Sequence, residues 1–252
     1  MYEQIAANKR KTFVLILGFA VPLLVIGVLV VALLSAGPIG FVIVLALVIG
    51  AAVALYYSGD KAALAISHAQ PADGQKYARL SNLVEGLCIA SGMPAPRLYV
   101  IEDDAPNAFS TGRDPKHAAI AVTTGLLEKL NRLELEGVLA HELSHIRNYD
   151  ILPMTITVTM ARMLIFPSLI ASVTKFAVSP SREYEADASG AQLTRYPPGL
   201  IAALEKLKGD TTSMHSASAA TAHLWIEEPL RPNHPFDTHP PLDDRIRALQ
   251  AM

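Results

Sequence analysis

Residues Asn131–Asn148 read NRLELEGVLAHELSHIRN, and this stretch decides how the fold is read. Asn131 followed by Glu134 is a capping-box pattern, with the glutamate able to reach back to the cap backbone. A helix is predicted from there to about Asn148, burying Leu135, Val138, Leu139 and Ile146. Within it lies His141-Glu142-Leu143-Ser144-His145. At about 100° per residue, two histidines four apart project from one helix face. Two imidazoles so placed can share one zinc ion, and Glu142, beside the first, can take a proton from a water that the ion polarises. Two ordinary histidines on a solvent-facing helix are the plain alternative. The apolar run Gly137-Val138-Leu139-Ala140, which belongs in a core, argues against it.

An open zinc site needs a third protein ligand, with the fourth position left for water. The best candidate lies downstream in Ser181–Asp187, SREYEAD. Ser179 can cap this helix, with Pro180 at its first position. Glu183 and Asp187 are four apart and face the same way. Glu183 can ligate the ion while Asp187 accepts the remaining ring N–H of a ligand histidine and so sets its tautomer. Glu185 points about 200° away from Glu183 and is the weaker candidate. An acidic helix start favoured by the helix dipole is the plain reading of these carboxylates. Two linked features at suitable spacing outweigh it.

Away from this site the chain is unusually apolar. Of its 252 residues, 51% are hydrophobic and only 17% charged, where an ordinary soluble domain has about 25% charged residues. The excess is concentrated: Thr12–Gly59 contains no charged side chain. Residues 12–34 and 39–57 each reach the roughly 20 apolar residues that a membrane-crossing helix needs. Ser35-Ala36-Gly37-Pro38 between them is a turn in composition. A helical hairpin crossing twice is expected. A signal peptide fits poorly, because the apolar core is too long and a second span follows at once. Lys9, Arg10 and Lys11 precede the first span, and Lys61, Lys76 and Arg79 follow the second, so the positive-inside bias keeps both flanks in the cytoplasm. The expectation is a multi-pass protein of the cell membrane whose catalytic domain faces the cytoplasm. The formal net charge is −2, which denies nucleic-acid binding its main electrostatic support. The single cysteine, Cys88, rules out an internal disulfide.

The intervening residues read as a small α+β region. Lys76–Ser91 has a helical rhythm. Arg97–Ile101, Asn107–Thr111 and Ala118–Thr123 read as short strands, and Gly125–Leu130 as a short helix. His68, His117, His215, His223 and His234 lack ligand-like spacing. Gly209–Thr221, rich in Ser, Thr and Ala, reads as a mobile loop that could cover the site. The single Trp225 reads as packing, and the chain should end in a helix at Leu242–Leu249.

HELSHIRNYD at His141–Asp150 and SREYEADASGA at Ser181–Ala191 resemble the HtpX-type membrane zinc metalloproteases of the gluzincin group. NAFSTGR at Asn107–Arg113, TTGLL at Thr123–Leu127, HPPLDDRI at His239–Ile246, and the hairpin followed by Ser58-Gly59-Asp60-Lys61 are also similar to that family. The likeness runs through nearly the whole chain in order. It implies a mainly α fold with a small β-sheet, an α+β zincin-like metalloprotease domain at 60–252, behind an N-terminal two-helix transmembrane hairpin at 1–59. It implies His141, His145 and Glu183 as ligands of one Zn2+ per chain, Glu142 as general base and then acid, and Asp187 as the carboxylate behind a ligand. Asn107, Ala108 and Phe109 would belong to an edge strand that pairs with the substrate backbone, and His239, or Arg245 after it, would stabilise the oxyanion. The resemblance implies protein or peptide substrates, among them misfolded or damaged membrane proteins, with the lipid bilayer as a further partner. Two alternatives stand beside this reading. One is processing of prenylated proteins, for which the chain has too few spans. The other is an inactive scaffold, which would not need Glu142.

One segment departs from the family. Longer relatives carry two further membrane-length segments between the two motifs, whereas here 37 residues separate His145 from Glu183. Both must reach one ion, and crossing twice takes roughly 40 apolar residues plus a turn. Residues 151–178 are therefore expected to form a non-spanning, membrane-associated helical hairpin bent near Phe166-Pro167-Ser168, and an ordinary buried helix pair is a reading that the sequence does not separate from it.

Overall fold

A computed structural model describes residues 2–163, 173–174, 176–177, 179–218, 220–227 and 239–252. Two long helices come first, α1 (Tyr2–Leu33) and α2 (Gly37–Ile66). Ser35 and Gly37 adopt positive φ in the turn between them. Both helices outrun their apolar stretches. Lys9–Lys11 and Asp60-Lys61 remain helical, because the backbone hydrogen bonds of the spans propagate cooperatively into residues with good helix propensity. The most apolar windows of α1 and α2 have mean hydropathies of 3.1 and 2.8, and only 11% and 6% of them is buried. Helices this apolar and this exposed are not core helices of a soluble domain. The hairpin makes the chain a membrane protein.

The sheet has the order β1 (Gln70–Pro71), β2 (Arg97–Ile101), β4 (Ala118–Thr123), β3 (Ala108–Gly112). Only β2 and β4 are parallel. Helix α3 (Ala78–Ser91) precedes β2, and α4 (Thr124–Lys129) follows β4. Every residue of β3 and β4 is buried, so the sheet is covered on both faces. Alternation along β4 sorts the two cores. Ala118, Ile120 and Val122 join a core with α3, α5 (Arg132–Arg147) and α8 (Pro197–Gly209). Ala119 and Ala121 face a second core that holds Leu15 and Phe19 of α1, Leu55 and Leu64 of α2, and Leu152–Met160 of α6 (Ile151–Met163). The hairpin and the residues that follow it therefore share a continuous core.

Helix α6 is buried between the hairpin and β3. Thr155 accepts a bond from Gly112 N at 3.0 Å, and Gly59 lets α2 approach it closely. The bend expected near Phe166-Pro167-Ser168 lies outside the described residues. Helices α7 (Pro180–Thr194) and α9 (Leu242–Gln250) complete the domain. Residues 209–221 are tied down at several points. Asp103 Oδ2 accepts from the backbone of both His215 and Ser216 at 2.8 Å. These bonds outweigh the effect of burial and hold the Asp103 carboxyl below its usual range.

Candidate metal centre

Helix α5 begins with the capping box read from the sequence: Asn131 accepts from Leu133 N and Glu134 N, and Glu134 Oε2 accepts from Asn131 N at 2.7 Å. Residues 137–146 of this helix are buried throughout. The face that carries His141 and His145 meets α7, and the two backbones come close where Gly190 lies against the His141 amide. At the start of α7, Ser179 occupies the cap position without making the expected side-chain bond. Its hydroxyl lies 2.8 Å from Ser181 Oγ instead.

His141 Nε2 and His145 Nε2 lie 3.1 Å apart. Glu183 places Oε2 3.5 Å from the first and Oε1 3.5 Å from the second. Ligand atoms of all three residues lie within 4.8 Å of one another, and all three residues are buried. Tetrahedral ligands about 2.0–2.1 Å from zinc stand about 3.4 Å apart, so the spacing fits one ion. The other ring nitrogens explain why the lone pairs converge. His141 Nδ1 faces Asp187 Oδ1 at 2.8 Å, and His145 Nδ1 faces Asp150 Oδ2 at 3.2 Å. With hydrogens on both Nδ1 atoms, both Nε2 atoms present lone pairs to the same point. Glu183 Oε2 is buried without a hydrogen-bond partner among the described residues. Two lone pairs and a carboxylate oxygen paired loosely with Arg245 Nη1 at 3.4 Å converge on one point and suit a metal cation.

The charges around the cluster favour positive charge within it, so a proton competes with a metal ion for the Nε2 lone pair. Burial opposes charge on His141, yet Asp187 and Glu183 outweigh it and raise this imidazole to about 9. Burial would raise Glu183, but His239, His145, His141 and Arg245 bring it well below the carboxylate range. Burial acts the same way on Asp187, where Arg245 prevails and lowers the carboxyl to about 2.

Glu142 is buried beside this cluster, and Ser110 on β3 donates a 2.7 Å hydrogen bond to its Oε2. Glu185 is exposed on the far side of α7, paired with Gln4 of α1, as the rotation of the helix requires. His239 Nε2 stands 4.0 Å from Glu183 Oε1. Arg245 is fully buried and its donors are engaged. Nε and Nη2 clasp Asp187 at 2.8 and 2.7 Å, and Nη1 donates to Ile226 O at 2.9 Å.

Asn107, Ala108 and Phe109 lie at the edge strand, but their outward side is already paired. Ile226 N donates to Ala108 O at 2.9 Å, the Asn107 amide bonds Glu227 O at 2.9 Å, and Trp225 packs edge-on against Phe109 with centroids 4.7 Å apart. One supporting residue, Ser110, escapes a reading of the sequence, and another, Asp150, reads equally as support for this helix or as a loop residue. Asp150 stands five residues past His145, and only the left-handed Tyr149 (φ 60°) turns it back. Ser110 reaches Glu142 across elements, and no local pattern announces that contact.

Residues 74–252 match peptidase family M48. The chain belongs to this family. It is 38% identical over 286 residues to the protease HtpX homolog of Dictyoglomus thermophilum, covering 100% of this chain and 94% of that one. Against the protease HtpX homolog of Listeria monocytogenes serovar 1/2a it is 38% identical over 312 residues, covering 100% of both. The crystal structure of S. mikatae Ste24p superposes with a TM-score of 0.54 at 17% identity, covering 99% of this chain and 67% of that one, which shows a shared fold. As an M48 member the chain is a metal-dependent endopeptidase, and peptides or proteins are its substrates.

Proposed function

We propose that this membrane metalloendopeptidase uses one zinc ion, held by His141, His145 and Glu183, to cut extended segments of misfolded or damaged membrane proteins at the cytoplasmic face. The observation that carries the reading is the convergence of two Nε2 lone pairs and a buried Glu183 oxygen, each ring fixed from behind by a carboxylate. Two imidazoles and a carboxylate suit zinc best among the common divalent ions. When bound, zinc supplies a Lewis acid for the attacking water and the scissile carbonyl. Glu142 takes the proton from that water and returns it to the leaving amine, and Ser110 holds the carboxylate for both transfers. His239, close to Glu183, donates to the developing oxyanion, and such a donor contributes about 2.7–4 kcal/mol to the barrier. Arg245 is a positioning residue: it clasps Asp187, and its Nη1 lies 3.4 Å from Glu183 Oε2. Substrate backbone pairs with β3 in the place that Trp225–Glu227 takes here, reading main chain instead of side chains. The hairpin anchors the chain with both basic flanks in the cytoplasm, and 60–252 forms the metalloprotease domain.

The test is casein hydrolysis by the full-length protein in detergent, zinc-loaded or zinc-free, beside Glu142→Ala. Only the zinc-loaded wild type should cut, while Glu142→Ala keeps its fold and its zinc. Equal activity in both proteins would remove Glu142 from the chemistry.

A further inference from the structure

A cavity of about 660 Å3 opens where the hairpin meets the domain, and no metal-centre residue lines it. Its floor is apolar and aromatic, with Phe13 and Ile16 from α1 and Tyr56 from α2. Its rim carries Lys9, Arg113 and Lys116. The one acid there, Asp114, is already occupied: its Oδ1 accepts from Lys116 N at 2.9 Å and His117 N at 3.0 Å and lies 2.8 Å from His117 Nδ1, and its Oδ2 is 3.8 Å from Arg113 Nε. Two of the cations rest over aromatic faces, Lys9 over Tyr149 at 5.0 Å and Arg113 over Tyr57 at 5.1 Å. Thr12 also lines the cavity. This residue is only 3% exposed, yet its hydroxyl has no hydrogen-bond partner among the described residues. Thr12 opens the uncharged run of α1 and Tyr56 stands near its end in α2, so the cavity lies where the hairpin leaves the hydrocarbon.

We propose that this cavity binds one anionic phospholipid. An acyl chain lies against Phe13 and Ile16, and the phosphate sits among Lys9, Arg113, Lys116 and the Thr12 hydroxyl. The apolar floor has no use for a free anion. Three cations set against one occupied acid distinguish an anionic headgroup from a zwitterionic one. The site also touches the metal centre's support. Tyr149, in the cavity wall, precedes Asp150, which faces His145 Nδ1 and accepts from Asn8 Nδ2 at 2.8 Å.

The test is native mass spectrometry of the full-length protein in detergent micelles carrying equal phosphatidylglycerol and phosphatidylcholine with the same acyl chains. Wild type should retain one phosphatidylglycerol per chain with a preference of about tenfold or more. Arg113→Ala/Lys116→Ala should bring the preference near parity, and Lys116→Glu alone should weaken it. Lys61→Ala/Arg132→Ala, which removes the same charge from exposed positions outside the cavity, should leave it intact. Thermal unfolding shows whether each variant is folded. Equal retention of the two lipids by wild type, an equal loss in the control pair, or displacement of the lipid by millimolar inorganic phosphate would each overturn the proposal. The readout is independent of hydrolysis, so it stands or falls apart from the protease chemistry.

Discussion

At the scale of single residues, the metal centre depends on what stands behind each ligand. Asp150 accepts from Asn8 of α1 and Arg182 of α7 while facing His145 on α5, so one carboxylate joins three helices at a ring nitrogen. Asp150→Ala leaves the ligand in place but frees its ring and tautomer. Metal affinity should fall about 10–100-fold, measured by competition with a chromogenic chelator, with circular dichroism unchanged. Unaltered affinity would mean that the ring is held by packing alone. Ser110 does the corresponding work for Glu142. Ser110→Ala should lower kcat about tenfold with KM nearly unchanged, because a hydrogen bond to a charged group is worth roughly 1.5–3 kcal/mol and here acts on the group that moves the proton. A variant in which only KM rises would move Ser110 to substrate binding. The members of the His141, His145 and Glu183 cluster are legible in the sequence because their geometry is local: helical spacing alone puts His141 beside His145 and Glu183 beside Asp187. Asp150 reads only as a residue that supports the helix or sits in a loop, because the positive-φ Tyr149 decides between the two, and Ser110 does not read at all, because its contact needs a strand packed against a helix.

Among elements, the approach of α5 to α7 determines whether the two halves of the centre meet. Gly190 makes that approach possible: a β-carbon there would lie 2.9 Å from His141 N, a backbone atom that cannot swing aside. Gly190→Ala gains about 0.5–1 kcal/mol of helix propensity. Overpacking against backbone costs about 1–3 kcal/mol, so the net effect should be destabilising. Because the displaced partner carries His141, zinc content should fall along with the melting temperature. Mass-spectrometric metal analysis beside thermal unfolding tests this, and a stable variant with full zinc content would sink it. The elements themselves are largely legible from periodicity and caps: α5, β2 and β4 lie within a residue or so of where pattern puts them. The hairpin helices run longer than their apolar stretches, since a flanking charge ends a hydrophobic run without ending a helix. The pairing of Trp225–Glu227 with β3 has no local sign at all. It depends on a register between segments more than a hundred residues apart.

For the molecule as a whole, the membrane hairpin is part of the structure and not a tether. Leu15 and Phe19 of α1 and Leu55 of α2 share a core with Leu152, Met154, Ile156, Val158 and Met160 of α6, and with Phe109 and Trp225 beside the site. A fragment spanning residues 60–252 would uncover that face. Each large apolar side chain removed from burial forfeits about 1.5–3 kcal/mol, so losing three costs roughly 5–9 kcal/mol, against a total stability of about 5–15 kcal/mol for an ordinary domain. The fragment also lacks Asn8, whose amide bonds Asp150 and the carbonyl of Asn148 at the end of α5. It should therefore aggregate or require detergent, melt well below the full chain, and bind zinc more weakly even where it stays folded. Size-exclusion chromatography and thermal unfolding of the fragment beside the full-length protein decide the matter. A monodisperse fragment with the melting temperature and zinc affinity of the full chain would show that the catalytic domain is autonomous and that the shared core contributes little.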